Sequence, residues 1–128
     1  MNYNISERMK AILAAEDQWI QQNPVFIIDQ IKCRIIRNAM GALCGYVTVP
    51  YPLYYSHGKT KLQQLSVHGG ITYSSFDDNG YRIGFDCNHA TDWVPGIITN
   101  YYGEEADYRN LTFVKTNIQY LIDQILIK

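Results

Sequence analysis

Residues 67–86 read VHGGITYSSFDDNGYRIGFD, and whether they fold back on themselves decides the architecture of the chain. Two runs rich in β-branched and aromatic residues flank Asp77, Asp78, Asn79 and Gly80, a cluster of turn formers. That is the pattern of a β-hairpin. Side-chain parity chooses the loop. A two-residue Asn79-Gly80 turn sets Tyr73 opposite Asp86 and Ser74 opposite Phe85, which mixes apolar with polar. A three-residue loop, Asp78-Asn79-Gly80, with Gly80 left-handed in a G1 bulge, pairs Tyr73 with Phe85 and keeps the faces sorted. His68, Thr72, Arg82 and Asp86 then share one face, and Val67, Ile71, Tyr73, Ile83 and Phe85 share the other.

Upstream, residues 32–38 (KCRIIRN) and 45–49 (GYVTV) have strand composition, joined by a loop through NAMGALC. Pro50 and Pro52 end the second strand, because proline cannot donate to the ladder. Residues 51–64 (YPLYYSHGKTKLQQ) mix aromatic rings with cations, and the expectation is a long irregular loop acting as a lid over 51–61. Residues 25–31 fit either a short helix or an extended segment. Residues 4–22 carry Ile5, Met9, Ile12, Leu13, Trp19 and Ile20 at helical spacing, with Asn4 as cap, Glu7 completing a capping box and Asn23-Pro24 as the stop. After a second loop over 90–106, residues 107–127 present Leu111, Val114, Ile118, Leu121, Ile122 and Ile125 as one apolar stripe. The layout is one α+β domain spanning 1–128: an antiparallel sheet with a central β-hairpin, packed against an N-terminal and a long C-terminal helix.

A net charge of −1 argues against duplex nucleic acid as a partner, since that needs a basic face. Cys33, Cys44 and Cys87 are odd in number and lack CxxC spacing, which fits buried thiols in a reducing compartment. The first residues are polar and charged, unlike a signal peptide, and no apolar run approaches the ~20 residues of a membrane span. The expectation is a cytoplasmic protein with no membrane partner. A homo-oligomer is allowed by the sequence and not required by it. Eleven tyrosines supply flat surfaces with polar tips, suited to a pocket or to a wet interface.

The chemistry concentrates beyond the hairpin. Asp86, His89 and Asp92 recur every three residues in DCNHATD, and side chains at that spacing eclipse on a tight turn. The hairpin brings His68 opposite residues 89–90. A carboxylate beside an imidazole fixes its tautomer and suits it to proton transfer, and two imidazoles can divide acid and base duties. His68, Asp86 and His89 are therefore the expected catalytic group. Gly69 and Gly70 mark a bulge or a place where a ligand comes close. Tyr54, Tyr55, His57 and Lys59 from the lid, with Arg82, Asp92 and Trp93, are expected to hold the ligand. His68, Asp86, His89 and Asp92 have ligand atoms for zinc or manganese, but their spacing matches no strong metal signature. No metal and no cofactor are expected. Cys87 lacks a neighbouring cation in sequence that would make it a nucleophile. HAT at 89–91 matches half of a paired HxT signature, and Gly69-Gly70 after His68 breaks the other half.

GALCGYVTVP, PLY, VHGGITYS, GFDCNHATD with PG after it, and YRNLTFVKTNIQYLIDQI occur in the same order as in a family of small proteins widespread in tailed-phage genomes, which this chain resembles over about residues 39–126. Thr91 stands where that pattern has Gly, and Tyr51 stands where it has Glu-Gly-His before Pro-Leu-Tyr. One family histidine is thus missing, and His57 is the nearest substitute. The resemblance implies a phage origin and action in the cytoplasm of the infected bacterium, where small accessory proteins often counter host defence. Two functions fit. One is a hydrolase that cleaves a phosphodiester or glycosidic bond in a nucleotide-derived, cyclic-nucleotide-like immune signal. The other is a non-catalytic binder that sequesters such a signal or blocks a host defence protein. A plain protein–protein module is the third.

Overall fold

The structure, a computed structural model, describes residues 5–96 and 105–127. Alternation along the strands sorts the chain into two faces. In β2 (Ile31–Arg37), Ile31, Cys33 and Ile35 point into the core while Lys32 and Arg34 point out. β3 (Leu43–Pro50) runs antiparallel to β2 and sends Leu43, Val47 and Val49 the same way. β5 (Gly80–Asp86) pairs with β3 and adds Tyr81, Ile83 and Phe85. With β1 (Phe26–Ile28) and β4 (Tyr73–Asp77) at the edges, the order is β1-β2-β3-β5-β4, antiparallel throughout.

The helices lie together over the apolar face. α1 (Glu7–Gln22), α2 (Tyr51–His57), α3 (Lys59–Gln63) and α4 (Leu111–Leu126) all contribute to the same core, and α4 buries Val114, Ile118, Leu121, Ile122 and Ile125 in it. The expected α+β layout is the observed one. A second small cluster sets Met9 and Leu13 of α1 against Trp93.

Three local expectations need correction, and residues 25–31 take the extended one of their two alternatives. Ser6 caps α1, its Oγ accepting from the Met9 amide at 3.1 Å, while Asn4 lies outside the described residues. Residues 25–31 are a tight hairpin whose turn, Asp29 and Gln30, has φ of 50° and 68°. Residues 51–63 are helical. Pro52 in the first turn of α2 costs no hydrogen bond there, and Gly58 at φ 86° separates α2 from α3. α4 begins at Leu111, where Asn110 caps the Phe113 amide at 2.9 Å.

The hairpin register also differs. The strands close on Asp77↔Gly80 around a loop of Asp78 and Asn79, so Tyr73 faces Gly84, and Phe76 faces Tyr81. Asp77 Oδ1 takes the Asn79 and Gly80 amides at 2.7 and 3.0 Å, an Asx turn that replaces the G1 bulge. Tyr73 therefore leaves the core face and packs edge-on to Tyr46 across the sheet's other face, with ring centroids 5.3 Å apart. Residues 67–72 precede β4 and are not a strand.

Candidate functional site

Past β5 the chain folds by the spacing of its acids. Asp86 Oδ1 accepts the Asn88 amide at 3.0 Å, and the His89 ring turns back so that Nε2–H donates to the Asp86 carbonyl at 3.1 Å. Asp92 donates its amide to the His89 carbonyl at 2.9 Å, and its Oδ2 accepts the His89 amide at 3.1 Å. Two successive turns thus form at the three-residue period of DCNHATD. Thr72 Oγ1 donates to Asp86 Oδ2 at 2.9 Å and ties this corner to the start of β4.

His68 arrives from the other side, held by α4. Asn117 Oδ1 accepts the His68 amide at 3.0 Å, and Gln124 donates to the Ser66 carbonyl at 2.7 Å while its Oε1 accepts the Ser66 amide at 2.9 Å. The turn from Val67 to Gly70 is closed by a 2.9 Å amide bond, with Gly69 left-handed at φ 69°. The His89 ring lies where a Cβ on Gly69 would stand, so this glycine is needed both for its backbone and for its bare face. The sequence marks Gly69 as a place of close approach, and the approaching group is His89.

The two imidazoles meet over Asp92. His68 Nε2 is 2.9 Å from both Asp92 oxygens, and its ring packs edge-on to Phe113 at 5.0 Å and to His89 at 5.5 Å. Arg109 donates from Nε to Asp92 Oδ1 at 2.8 Å and lies 5.2 Å from the Phe113 ring centroid. The Asp92 side chain has no exposed surface, whereas His68 keeps 17 % and His89 31 % of theirs. Burial alone would raise the Asp92 carboxyl. The hydrogen bonds from His68, Arg109 and the His89 amide outweigh it and hold the group below the usual carboxylate range.

The partners fix the tautomers. A carboxylate and a carbonyl can only accept, so both histidines carry hydrogen on Nε2. In the neutral ring this leaves Nδ1 of each with its lone pair. His68 thus donates to a buried anion and keeps Nδ1 as an acceptor. His68, His89 and Asp92 also offer one ligand atom each within 4.8 Å of the others, the place where a divalent cation would seat. Arg109 already supplies Asp92 with a positive charge.

The structure brings His68, His89 and Asp86 to one corner, but Asp92 is the carboxylate that serves His68. Asp86 serves His89, with Oδ1 3.4 Å from Nε2. Gly70 sits beside them in the turn. The other expected ligand residues lie elsewhere. Tyr54 packs on Tyr81 and Phe76, and Tyr55 is exposed. His57 donates Nε2–H to the Ile125 carbonyl at 2.6 Å, and Lys59 opens α3. These four flank the Pro50↔Gly80 end of the sheet, opposite the Cys44↔Asp86 end that carries the histidines, so the 51–61 segment is no lid on this site. Arg82 points to the far face, 3.4 Å from Asp77. Trp93 is buried, bridged to Tyr108 and packed on α1. Burial, with the Asp92 charge adding to it, pushes the Cys87 thiol far above its usual range, so it is no nucleophile.

Sequence reasoning missed Arg109 and Asn117. Arg109 directly precedes the Asn110 cap, and an arginine near a helix start, where the dipole disfavours cations, was the available signal. Among the described residues no helix is long and apolar enough to cross a membrane. No family model, curated protein or solved structure matches the chain.

Proposed function

We propose that this chain is a small hydrolase that cleaves a phosphodiester bond in a nucleotide-derived signal by imidazole acid–base chemistry. One observation carries the reading: His68 is seated on both oxygens of a fully buried carboxylate, with a second, part-exposed imidazole 5.5 Å away. In this mechanism His68 Nδ1 takes a proton from water and the water oxygen adds to phosphorus. The bond to the leaving oxygen breaks, and protonated His89 gives that oxygen its proton. Asp92 stabilises the imidazolium formed at His68, and Arg109 adds positive charge beside the incoming phosphate. An immune signal as substrate, and counter-defence in the bacterial cytoplasm as setting, rest on the resemblance to tailed-phage proteins.

Sequestration without cleavage is the second reading, and Arg109 favours it. Its guanidinium is fixed by Asp92 and Phe113 and can hold an anion without any proton moving. Incubation with a panel of nucleotide signals, followed by mass spectrometry of free and protein-released products, separates the two. The hydrolase gives cleaved product that disappears in His68→Ala and His89→Ala. Intact ligand released on denaturation identifies a binder, and no binding at all removes both readings.

A further inference from the structure

The face of the sheet turned away from the helices carries a pattern of its own. Strand register places Lys32, Thr48, Arg82 and Ser75 in one row, and Arg34, Tyr46, Gly84 and Tyr73 in the next. Among the described residues no helix covers this face. It holds a shallow hollow of about 360 Å³ lined by Lys32, Arg34, Tyr46, Thr48 and Arg82 among others, and a smaller one of about 150 Å³ shares Arg34, Tyr46 and Arg82 with it.

Two features point to one kind of occupant. The first is charge. The chain as a whole is formally −1, yet three cations gather here, and among the described residues an acid stands beside Arg82 only, Asp77 at 3.4 Å. Lys32 and Arg82 stand two strands apart, roughly 10 Å, and Arg34 is two residues further along β2, about 7 Å. Cations spread this way suit a run of phosphates better than a single anionic group. The second is the aromatic surface. The Tyr46 ring reaches over Gly84 through its Cδ1–Cε1 edge, where any Cβ would strike it, and Tyr73 packs against it at 87°. Flat rings beside spaced cations on an open sheet are the requirements of single-stranded nucleic acid, whose bases stack while its phosphates follow the charge.

We infer that this open face binds short single-stranded oligonucleotides through Lys32, Arg34 and Arg82, with bases stacked on Tyr46 and Tyr73. The site is separate from the histidine corner, and the inference does not depend on the proposed hydrolysis.

Fluorescence anisotropy with labelled single-stranded oligothymidylate and oligouridylate, over a salt series, tests it. Three phosphate contacts give a slope of log K against log salt of about −2. Lys32→Ala with Arg34→Ala should flatten the slope to about −0.7. Tyr73→Ala, at an exposed position, should weaken binding roughly ten- to hundred-fold with the slope unchanged. Binding is read here and cleavage in the signal panel, so this inference and the hydrolase proposal fail separately. Absence of saturable binding would overturn the inference, as would equal binding by the Lys32 and Arg34 variant. Equal displacement by polyglutamate, or by a mononucleotide at matched phosphate concentration, would overturn it too, because the face would then take anions without regard to bases or spacing.

Discussion

Two buried carboxylates do opposite work in this molecule. Glu16 of α1 takes Arg37 at 3.0 Å, the Tyr108 hydroxyl at 2.6 Å and the Leu111 amide at 2.7 Å. Asp92 takes His68, Arg109 and the His89 amide at similar lengths. The donors make the difference. Those of Glu16 do not change state near neutral pH: burial opposes the Arg37 charge, but Tyr108, Asp17 and Glu16 hold it more firmly as a cation, and burial raises the Tyr108 phenol. That network fastens α1, β2 and the start of α4. Asp92 faces an imidazole instead, and that ring still touches solvent. The same carboxylate geometry locks the fold in one place and, in the proposed hydrolase, serves a proton transfer in the other.

Substitutions at the two clusters should separate these roles. His68→Gln keeps an N–H for Asp92 but no base, and should lower turnover about 10²–10⁴-fold with little change in melting temperature. Parallel loss of stability would make His68 another fastening. Glu16→Ala should do the reverse. It leaves Arg37 with the half-exposed Asp17 as carboxylate partner, beside Tyr108 and the Gly41 carbonyl, and should destabilise by about 3 kcal/mol, the low end for breaking a buried pair, while turnover per folded molecule holds in a urea-titrated assay.

Acid sharpens the contrast. The folded-state pKa of Asp92 lies below its unfolded value, so its stabilisation is complete above about pH 4 and fades as pH falls through the depressed value. Urea midpoints between about pH 5 and pH 2 should fall less steeply in Asp92→Asn than in the wild type. Equal slopes would contradict the bonding described. The smallest effect is far from both clusters. Gln30 holds φ 68° in the β1–β2 turn, and Gln30→Gly should gain roughly 0.5–1 kcal/mol in denaturant unfolding.

That turn also shows where sequence stops being legible. A two-residue hairpin usually declares itself with Asn-Gly. Asp29-Gln30 does not, because closing Ile28 on Ile31 and burying Ile31 outweighs the turn's own preference. The strands β2, β3 and β5 and helices α1 and α4 were readable because burial follows their periods. The hairpin register was not, since Phe76 and Tyr81 pair on the core side and Tyr73 finds Tyr46 on the other, an aromatic exchange that local parity cannot see. His68 and His89 could be placed together, although the ladder argument for it failed: residues 67–72 are no strand, and α4 positions His68 through Asn117. The choice between Asp86 and Asp92 depended on Arg109, which follows the 97–104 segment and is remote in sequence. The 51–63 helices looked irregular because Pro50, Pro52 and Gly58 punctuate them, and in the fold those residues mark helix ends.

His68 and His89 both bond through Nε2–H, and the proposed hydrolysis uses Nδ1. Long-range ¹H–¹⁵N correlation of the histidine rings at slightly alkaline pH measures this directly. Protonated Nε2 and pyridine-type Nδ1 are expected in both rings, with the His68 pattern disturbed in Asp92→Asn. Protonation at His68 Nδ1 would contradict this bonding, and so would spectra in which added zinc at stoichiometric concentration captures both rings.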